Sequence, residues 1–379
     1  MKRRNQVLDI ARAEATSWVR SHLAPSDDPV VSRARWSPER AWDWYRSTPW
    51  LVGANFTPST AGNQLEMFQA DTFDPVTIDR ELGYAAGIGM NSARIFLHDL
   101  LWDVDGEAFL DRLDRVLDIA AGHGIGVMPV LFDGIWDPRP HPGPQGDPKP
   151  GVHNSMWVQS PGAAVIGDRA QWGRLQGYVE AVMGRFASDP RIHVWDLFNE
   201  PDSPNPAYAF YEVAHKQRRI AELLEQIWDW ADAVDPDQPI TTGVFQHVAR
   251  KLPEARPASR VMLERSDVIT FHSYQPEPLL NRVIDRLEAY GRPLICTEWL
   301  GRPASPASLL EVFARRNVGA YNWGLVDGRT QTRLPWTSWF RPTPPGREWF
   351  HELFHPDGTP YDAAEAELFR RVTARTRGA

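Results

Sequence analysis

Two glutamates, Glu200 and Glu298, each close a short apolar run in this 379-residue chain. Glu200 ends Val194-Trp195-Asp196-Leu197-Phe198-Asn199-Glu200 and is followed by Pro201; Glu298 ends Pro293-Leu294-Ile295-Cys296-Thr297-Glu298 and is followed by Trp299. Carboxylates are costly to bury, so acids at the ends of core strands call for a chemical explanation. Two of them facing one cleft are what glycosidic bond cleavage requires, one protonating the leaving oxygen and the other attacking carbon or activating water.

The elements that would carry these residues alternate along the chain. Runs at 50–56, 91–97, 125–132, 192–198, 239–245, 268–274, 293–298 and 318–325 read as strands. Most are continuously apolar, as expected for strands covered on both faces. Amphipathic segments lie between them: one capped by Asp74-Pro75, one over 107–121 stopped by Gly122, then 169–187, 207–234, 277–290 and one capped by Ser305-Pro306. Eight strands alternating with helices predict an α/β chain folded as a (β/α)8 barrel. An open doubly wound sheet would need a glycine-rich phosphate turn after an early strand, and none is present. Residues 1–47, with Ser37-Pro38 opening a helix, read as a helical N-terminal extension packing on a barrel formed by 48–379.

Residues 133–167, after the third strand, carry too many prolines for helix or central strand. A loop this long is usually functional or disordered, and here it would project from the C-terminal face, where barrel active sites lie. It reads as a substrate-shaping loop, with Trp136 and Trp157 as stacking platforms. The other strand ends are also polar or aromatic: Asn55 and Phe56, Arg94 and His98, Asp133, Asn199 and Glu200, His272 and Tyr274, Glu298 and Trp299, and Trp323. Each alone has a structural explanation, but together they favour a site.

The ordered set Asn91-x-x-Arg94, Asn199-Glu200-Pro201, His272-x-Tyr274, Thr297-Glu298-Trp299 and Trp323 resembles the clan A glycoside hydrolases, closest to family 5-like members, over about residues 50–330. The third strand end departs from that pattern, reading Leu131-Phe132-Asp133 where family 5 enzymes usually carry a histidine. The resemblance implies a retaining β-glycosidase with Glu200 as acid/base and Glu298 as nucleophile. It also implies that Arg94 and Tyr274 hold Glu298, Asn199 binds the sugar 2-hydroxyl, and His272 bonds Glu200 or the sugar. Trp323 would form the subsite floor. Asn55, Asp133, Trp136 and Trp299 complete the expected substrate-binding set. Neither metal nor cofactor is expected to take part.

The resemblance suggests β-linked glucose, mannose, xylose or galactose, on short substrates with exo action if the long loop closes one end of the cleft. An endo-acting cell-wall β-glycanase is the alternative, and a catalytically silent sugar-binding barrel a more remote one. His351-Glu352-Leu353-Phe354-His355 matches H-E-x-x-H and raises a zinc metalloprotease reading. Pro356 ends that segment at once, no third ligand is evident, and the motif falls after the last strand. A net charge of −8 gives no electrostatic case for nucleic acid. A lone cysteine, Cys296, excludes an intrachain disulfide and reads as a buried thiol. No apolar run suits a signal segment or a membrane span, so a cytoplasmic chain is expected, with a removed signal left open. Oligomeric state is not readable.

Overall fold

The structure, a computed structural model, describes residues 33–245 and 256–377. Eight parallel strands form its core: β1 (Val52–Asn55), β2 (Ser92–Phe96), β3 (Gly126–Asp133), β4 (Trp195–Asn199), β5 (Ile240–Thr241), β6 (Ile269–His272), β7 (Leu294–Trp299) and β8 (Gly319–Trp323). Their hydrogen-bonded order runs β5-β4-β3-β2-β1-β8-β7-β6. A parallel bridge between Val244 and Phe271 spans the remaining seam, so the sheet curls into a (β/α)8 barrel.

The helices are α1 (Pro38–Ser47), α2 (Gln64–Phe68), α3 (Pro75–Gly87), α4 (Asp99–Asp105), α5 (Glu107–Gly122), α6 (Ala163–Gly167), α7 (Trp172–Arg185), α8 (Lys216–Val234), α9 (Pro257–Arg265), α10 (Glu277–Glu288), α11 (Leu310–Arg315) and α12 (Ala363–Arg377). None among the described residues is long and apolar enough to cross a membrane. Helix α3 starts where Asp74 accepts from the Thr77 backbone N–H at 3.1 Å, with proline at the first helical position. Helix α5 buries Phe109, Leu113, Val116, Leu117 and Ala120 on one stripe and ends at Gly122.

The barrel interior changes character along its axis. At the N-terminal end Leu51, Met128, Val194, Val268, Ile295 and Tyr321 form an apolar cluster that includes Tyr45 of α1. The Tyr45 hydroxyl donates to the Asn317 carbonyl at 3.0 Å. Helix α1 thereby plugs the bottom of the barrel. The first 32 residues of the expected 1–47 extension lie outside the described residues. Toward the C-terminal end the interior turns polar, with Arg94, Asp196, Asn55, Asn199 and Thr297 all buried.

Two expected elements are shorter in the structure. The run 239–245 yields only Ile240–Thr241 as strand. The Thr242 N–H is diverted to the Ser266 hydroxyl at 3.1 Å, and the Thr241 hydroxyl donates to the Val268 carbonyl. The helix expected over 207–234 begins only at Lys216, because His215 takes φ 57° and interrupts it. Ser305 does not cap a helix: its hydroxyl accepts from the Leu300 N–H at 3.3 Å. Pro306 precedes a short turn of 3₁₀ helix leading into α11.

The segment after β3 is not free. It contains α6 and is stitched to the segment after β8. His153 N–H donates to the Ser338 hydroxyl at 2.9 Å, and Trp339 Nε1 donates to the His153 carbonyl at 2.7 Å. Gln331 Nε2 donates to the Lys149 carbonyl at 2.7 Å, and Asn154 N–H to the Thr330 carbonyl at 2.8 Å. Together the two segments wall one side of the barrel mouth.

Candidate active site

Glu200 and Glu298 are carried to one place by β4 and β7. One carboxylate oxygen of each and a ring nitrogen of His272 all lie within 4.8 Å of one another. Both glutamates line a cleft of about 220 Å³, together with Ile135, Trp136, His153, Phe245, Tyr274, Trp323 and Trp336.

The two acids have different partners. Glu298 Oε1 sits 3.2 Å from an Arg94 guanidinium nitrogen, and its Oε2 accepts from the Tyr274 hydroxyl at 2.8 Å. Glu200 Oε1 lies 2.7 Å from His272 Nδ1, which is also 3.5 Å from Glu298 Oε2. Burial pushes both carboxyls up, each to about 7. The proximity of Glu200 adds to the rise at Glu298. Burial lowers His272 to about 4, so its imidazole is neutral at pH 7. Glu200 itself takes φ 44°, a left-handed conformation that a residue with a side chain adopts only under constraint. The carbonyl of Glu200 packs on Gly134, where a Cβ would come within 2.6 Å of it.

Arg94 organises the floor beneath the acids. Fully buried, it donates to Asp196 at 2.8 and 3.0 Å, to Asn55 at 2.7 Å and to Asn199 at 2.8 Å, as well as to Glu298. A buried guanidinium needs this many acceptors to offset its desolvation. Asn55 Nδ2 donates in turn to the carbonyls of Thr297 and Asn322, at 2.8 and 3.2 Å.

Asp133 lies beneath the cleft, fully buried. Its Oδ1 accepts from Asn199 Nδ2 at 3.0 Å, and its Oδ2 accepts from Trp157 Nε1 at 2.5 Å. Burial raises this carboxyl to about 6. Asn199 is thus held at both ends, by Arg94 on its oxygen and by Asp133 on its nitrogen. Trp157 is buried as well, edge-on to Phe96 and Trp323.

Not every expected residue arrives at the cleft. Trp299 is wholly buried on the outer face of β7, stacked at 18° on Phe369 of α12 and tilted against Phe313 of α11. The register of β7 shifts between Cys296 and Trp299, so Glu298 faces inward and Trp299 outward even though Ile295 lies inside the barrel. Phe56 is in the core, and His98 caps α4 by accepting from the Leu100 N–H at 3.2 Å. Trp136 does reach the cleft, its ring stacked on Trp339 with centroids 5.2 Å apart.

The H-E-x-x-H segment forms no zinc site. It is not helical, so its histidines do not share a helix face. His351 is buried with Nδ1 against the Leu300 carbonyl, and His355 stacks on Tyr361. Cys296 is buried beside the Glu298 carbonyl, and burial pushes its thiol up, away from the reactive thiolate.

Asp196, Phe245 and Trp336 are site residues that sequence reading missed. Asp196 had a signal, since a charge inside Val194-Trp195-Asp196-Leu197-Phe198 must find a buried partner. Phe245 ends the fifth apolar run. Trp336 opens a short 3₁₀ turn after the last strand, with no periodicity to mark it.

No protein-family model matches the chain, and no curated protein matches it. Solved structures do. A GH5_18 structure from Streptomyces cattleya in complex with GlcNAc aligns at TM-score 0.56 and 16% identity, over 86% of this chain and 80% of that one. The architecture is shared. The exo-beta-1,4-mannosidase Op5Man5 from Opitutaceae bacterium strain TAV5 aligns at TM-score 0.57 and 21% identity, over 86% of this chain but 60% of its own length. A beta-1,4-mannanase from the sea hare Aplysia kurodai aligns at TM-score 0.51 and 16% identity, over 73% of this chain and 88% of that one. At these identities the likeness shows the (β/α)8 fold.

Proposed function

We propose that this chain is a retaining β-glycoside hydrolase that removes a single sugar from the end of short β-mannosides or closely related glycosides. The observation that carries the reading is the pair Glu200 and Glu298, with one oxygen of each carboxylate within 4.8 Å of the other across one cleft. Retaining enzymes hold their two carboxyls about 5–5.5 Å apart, closer than inverting enzymes, which need space for a water.

The partners support a division of roles. Arg94 and Tyr274 donate to Glu298, which favours its ionised form and aims it as the nucleophile. Glu200 keeps its proton and acts as the acid. His272 Nδ1–H, donating to Glu200 Oε1, orients the carboxyl for that role. In the first step Glu298 attacks the anomeric carbon as the glycosidic C–O bond breaks, and the Glu200 proton passes to the departing oxygen. In the second, Glu200 takes a proton from water, which displaces Glu298 from the anomeric carbon.

Exo action is supported by the wall that the segments after β3 and β8 build together at the barrel mouth. The choice of sugar is supported by the neighbours, whose names include an exo-beta-1,4-mannosidase and a beta-1,4-mannanase. The test is a panel of aryl β-glycosides assayed with wild type and Glu298→Ala, with azide as external nucleophile. The β-mannoside should be cleaved fastest with net retention. Glu298→Ala should lose at least about 10³-fold in kcat and yield a glycosyl azide of inverted configuration. An inverted sugar as first product sinks the mechanism. Release of internal fragments from mannotetraose sinks the exo assignment alone.

A further inference from the structure

Trp323 lines a second, much smaller cavity of about 20 Å³, walled also by Asn55, Thr57, Thr330, Thr332 and Glu352. That volume accommodates roughly one water-sized group. Three of its polar residues are already committed. Asn55 gives its oxygen to Arg94 and its nitrogen to two carbonyls, and the Thr330 and Thr332 hydroxyls lie 3.2 Å apart.

Glu352 is not fully committed. It is wholly buried; its Oε1 accepts from the Thr332 hydroxyl, while its Oε2 has no hydrogen-bond partner among the described residues. The chain makes room for that oxygen. Gly324, also in the wall, takes φ 77°, and a Cβ there would come within 2.8 Å of Oε2. A buried carboxyl oxygen with unused hydrogen-bonding capacity, in a cavity that fits one oxygen-bearing group, is built to receive such a group.

We propose that this pocket reads one hydroxyl-bearing substituent of the sugar lying on Trp323, with Glu352 as the residue that hydrogen-bonds it. The inference rests on the hydrolase reading above. It also gives a role to the one sequence motif the mechanism leaves unused. Burial raises the Glu352 carboxyl to about 8, so near neutral pH it carries a proton and can both donate to and accept from an alcohol, without burying a charge. A pocket limited to one such group also suits a single terminal sugar better than a continuing chain.

The experiment compares an aryl β-glycoside that wild type cleaves with its 3-, 4- and 6-deoxy analogues, using wild type and Glu352→Ala. In wild type one analogue should lose at least about 100-fold in kcat/KM, because a site built around a hydroxyl rejects the analogue that lacks it. Glu352→Ala should lose a similar factor on the parent and no longer distinguish it from that analogue, while still discriminating the other two. Thr332→Val, which removes the donor to Oε1, should give a weaker loss with the same pattern and covers the case in which Glu352→Ala does not fold. Equal losses on every substrate, or none, overturn the inference and leave the pocket as a seat for water. If wild type cleaves no parent glycoside, the hydrolase reading falls and this inference falls with it.

Discussion

At the scale of single residues, the proposed mechanism makes the pair Glu200 and Glu298 set the pH dependence. Two carboxyls this close resist ionising together, so they titrate as a pair. The first proton leaves Glu298, which Arg94 and Tyr274 hold. The second leaves Glu200. The proposed mechanism needs Glu298 ionised and Glu200 protonated. As pH falls Glu298 gains a proton and the nucleophile is lost; as pH rises Glu200 loses its proton and the acid is lost. Since both carboxyls are raised to about 7, kcat/KM on an aryl glycoside should follow a narrow bell centred near neutrality. A plateau from pH 4 to pH 6 would contradict this. Asp133 offers a second residue-scale test. Its carboxylate accepts from Asn199 on one oxygen and from Trp157 on the other. In Asp133→Asn either orientation of the amide turns an NH₂ toward another donor. Asn199 should then be displaced, and kcat/KM should fall by about 10²-fold, the order expected when a positioning group is misplaced by about 1 Å. A 2-deoxy substrate, which lacks the 2-hydroxyl that Asn199 is proposed to bind, should lose much less.

At the scale of elements, the bottom of the barrel and its mouth are separable. Tyr45 of α1 inserts into the apolar cluster at the N-terminal end, remote from the polar layer that holds Arg94 and Glu298. Tyr45→Ala should destabilise the fold by about 3–5 kcal/mol, as large aromatic truncations in a core do, with kcat unchanged below the melting transition. Chemical denaturation paired with kinetics checks both halves. Local signals explain which elements were legible. The Asp74-Pro75 cap and the apolar stripe of α5 are written within a few residues, so α3 and α5 could be read directly. Strand β5 and the start of α8 could not. Ser266 draws off a backbone N–H of the first, and His215 interrupts the second with φ 57°. Neither effect leaves a periodic trace. The proline-rich stretch was visible as a long loop after the third strand. Its attachment to the segment after β8 was not, because contacts between residues 149–154 and 330–339 join parts of the chain about 180 residues apart. Trp299 was misplaced because β7 does not alternate strictly: counted from the inward Ile295, Trp299 would face the barrel interior, but a register shift between Cys296 and Trp299 turns Glu298 inward instead.

At the scale of the whole molecule, buried titratable groups pull stability in opposite directions as pH changes. Burial raises Asp133 to about 6, Glu200 and Glu298 to about 7 and Glu352 to about 8, against 3.8 for an ordinary aspartate and 4.5 for an ordinary glutamate. In each case the folded state holds its proton longer than the unfolded chain does. Their contribution is full below the unfolded values and is lost as pH rises through the folded ones. Burial lowers His153, His193 and His272 from 6.5 to about 4, so their contribution is full above 6.5 and is lost as pH falls through 4. The two sets oppose each other between about pH 4.5 and 6.5. Above 6.5 these histidines are neutral in both states and only the acids still titrate. Stability should therefore decline between about pH 6.5 and 8.5. Glu352, with the highest of the four raised values, should account for much of the decline at its upper end. In Glu352→Gln the side chain stays neutral at every pH and no ionisation is suppressed by folding. The variant should then keep more of its pH 6 melting temperature at pH 8.5 than wild type does, whatever its absolute stability. Parallel melting curves for the two proteins across that range would show that Glu352 ionises as freely in the fold as in the unfolded chain, and would remove it from the set of acids that burial holds protonated.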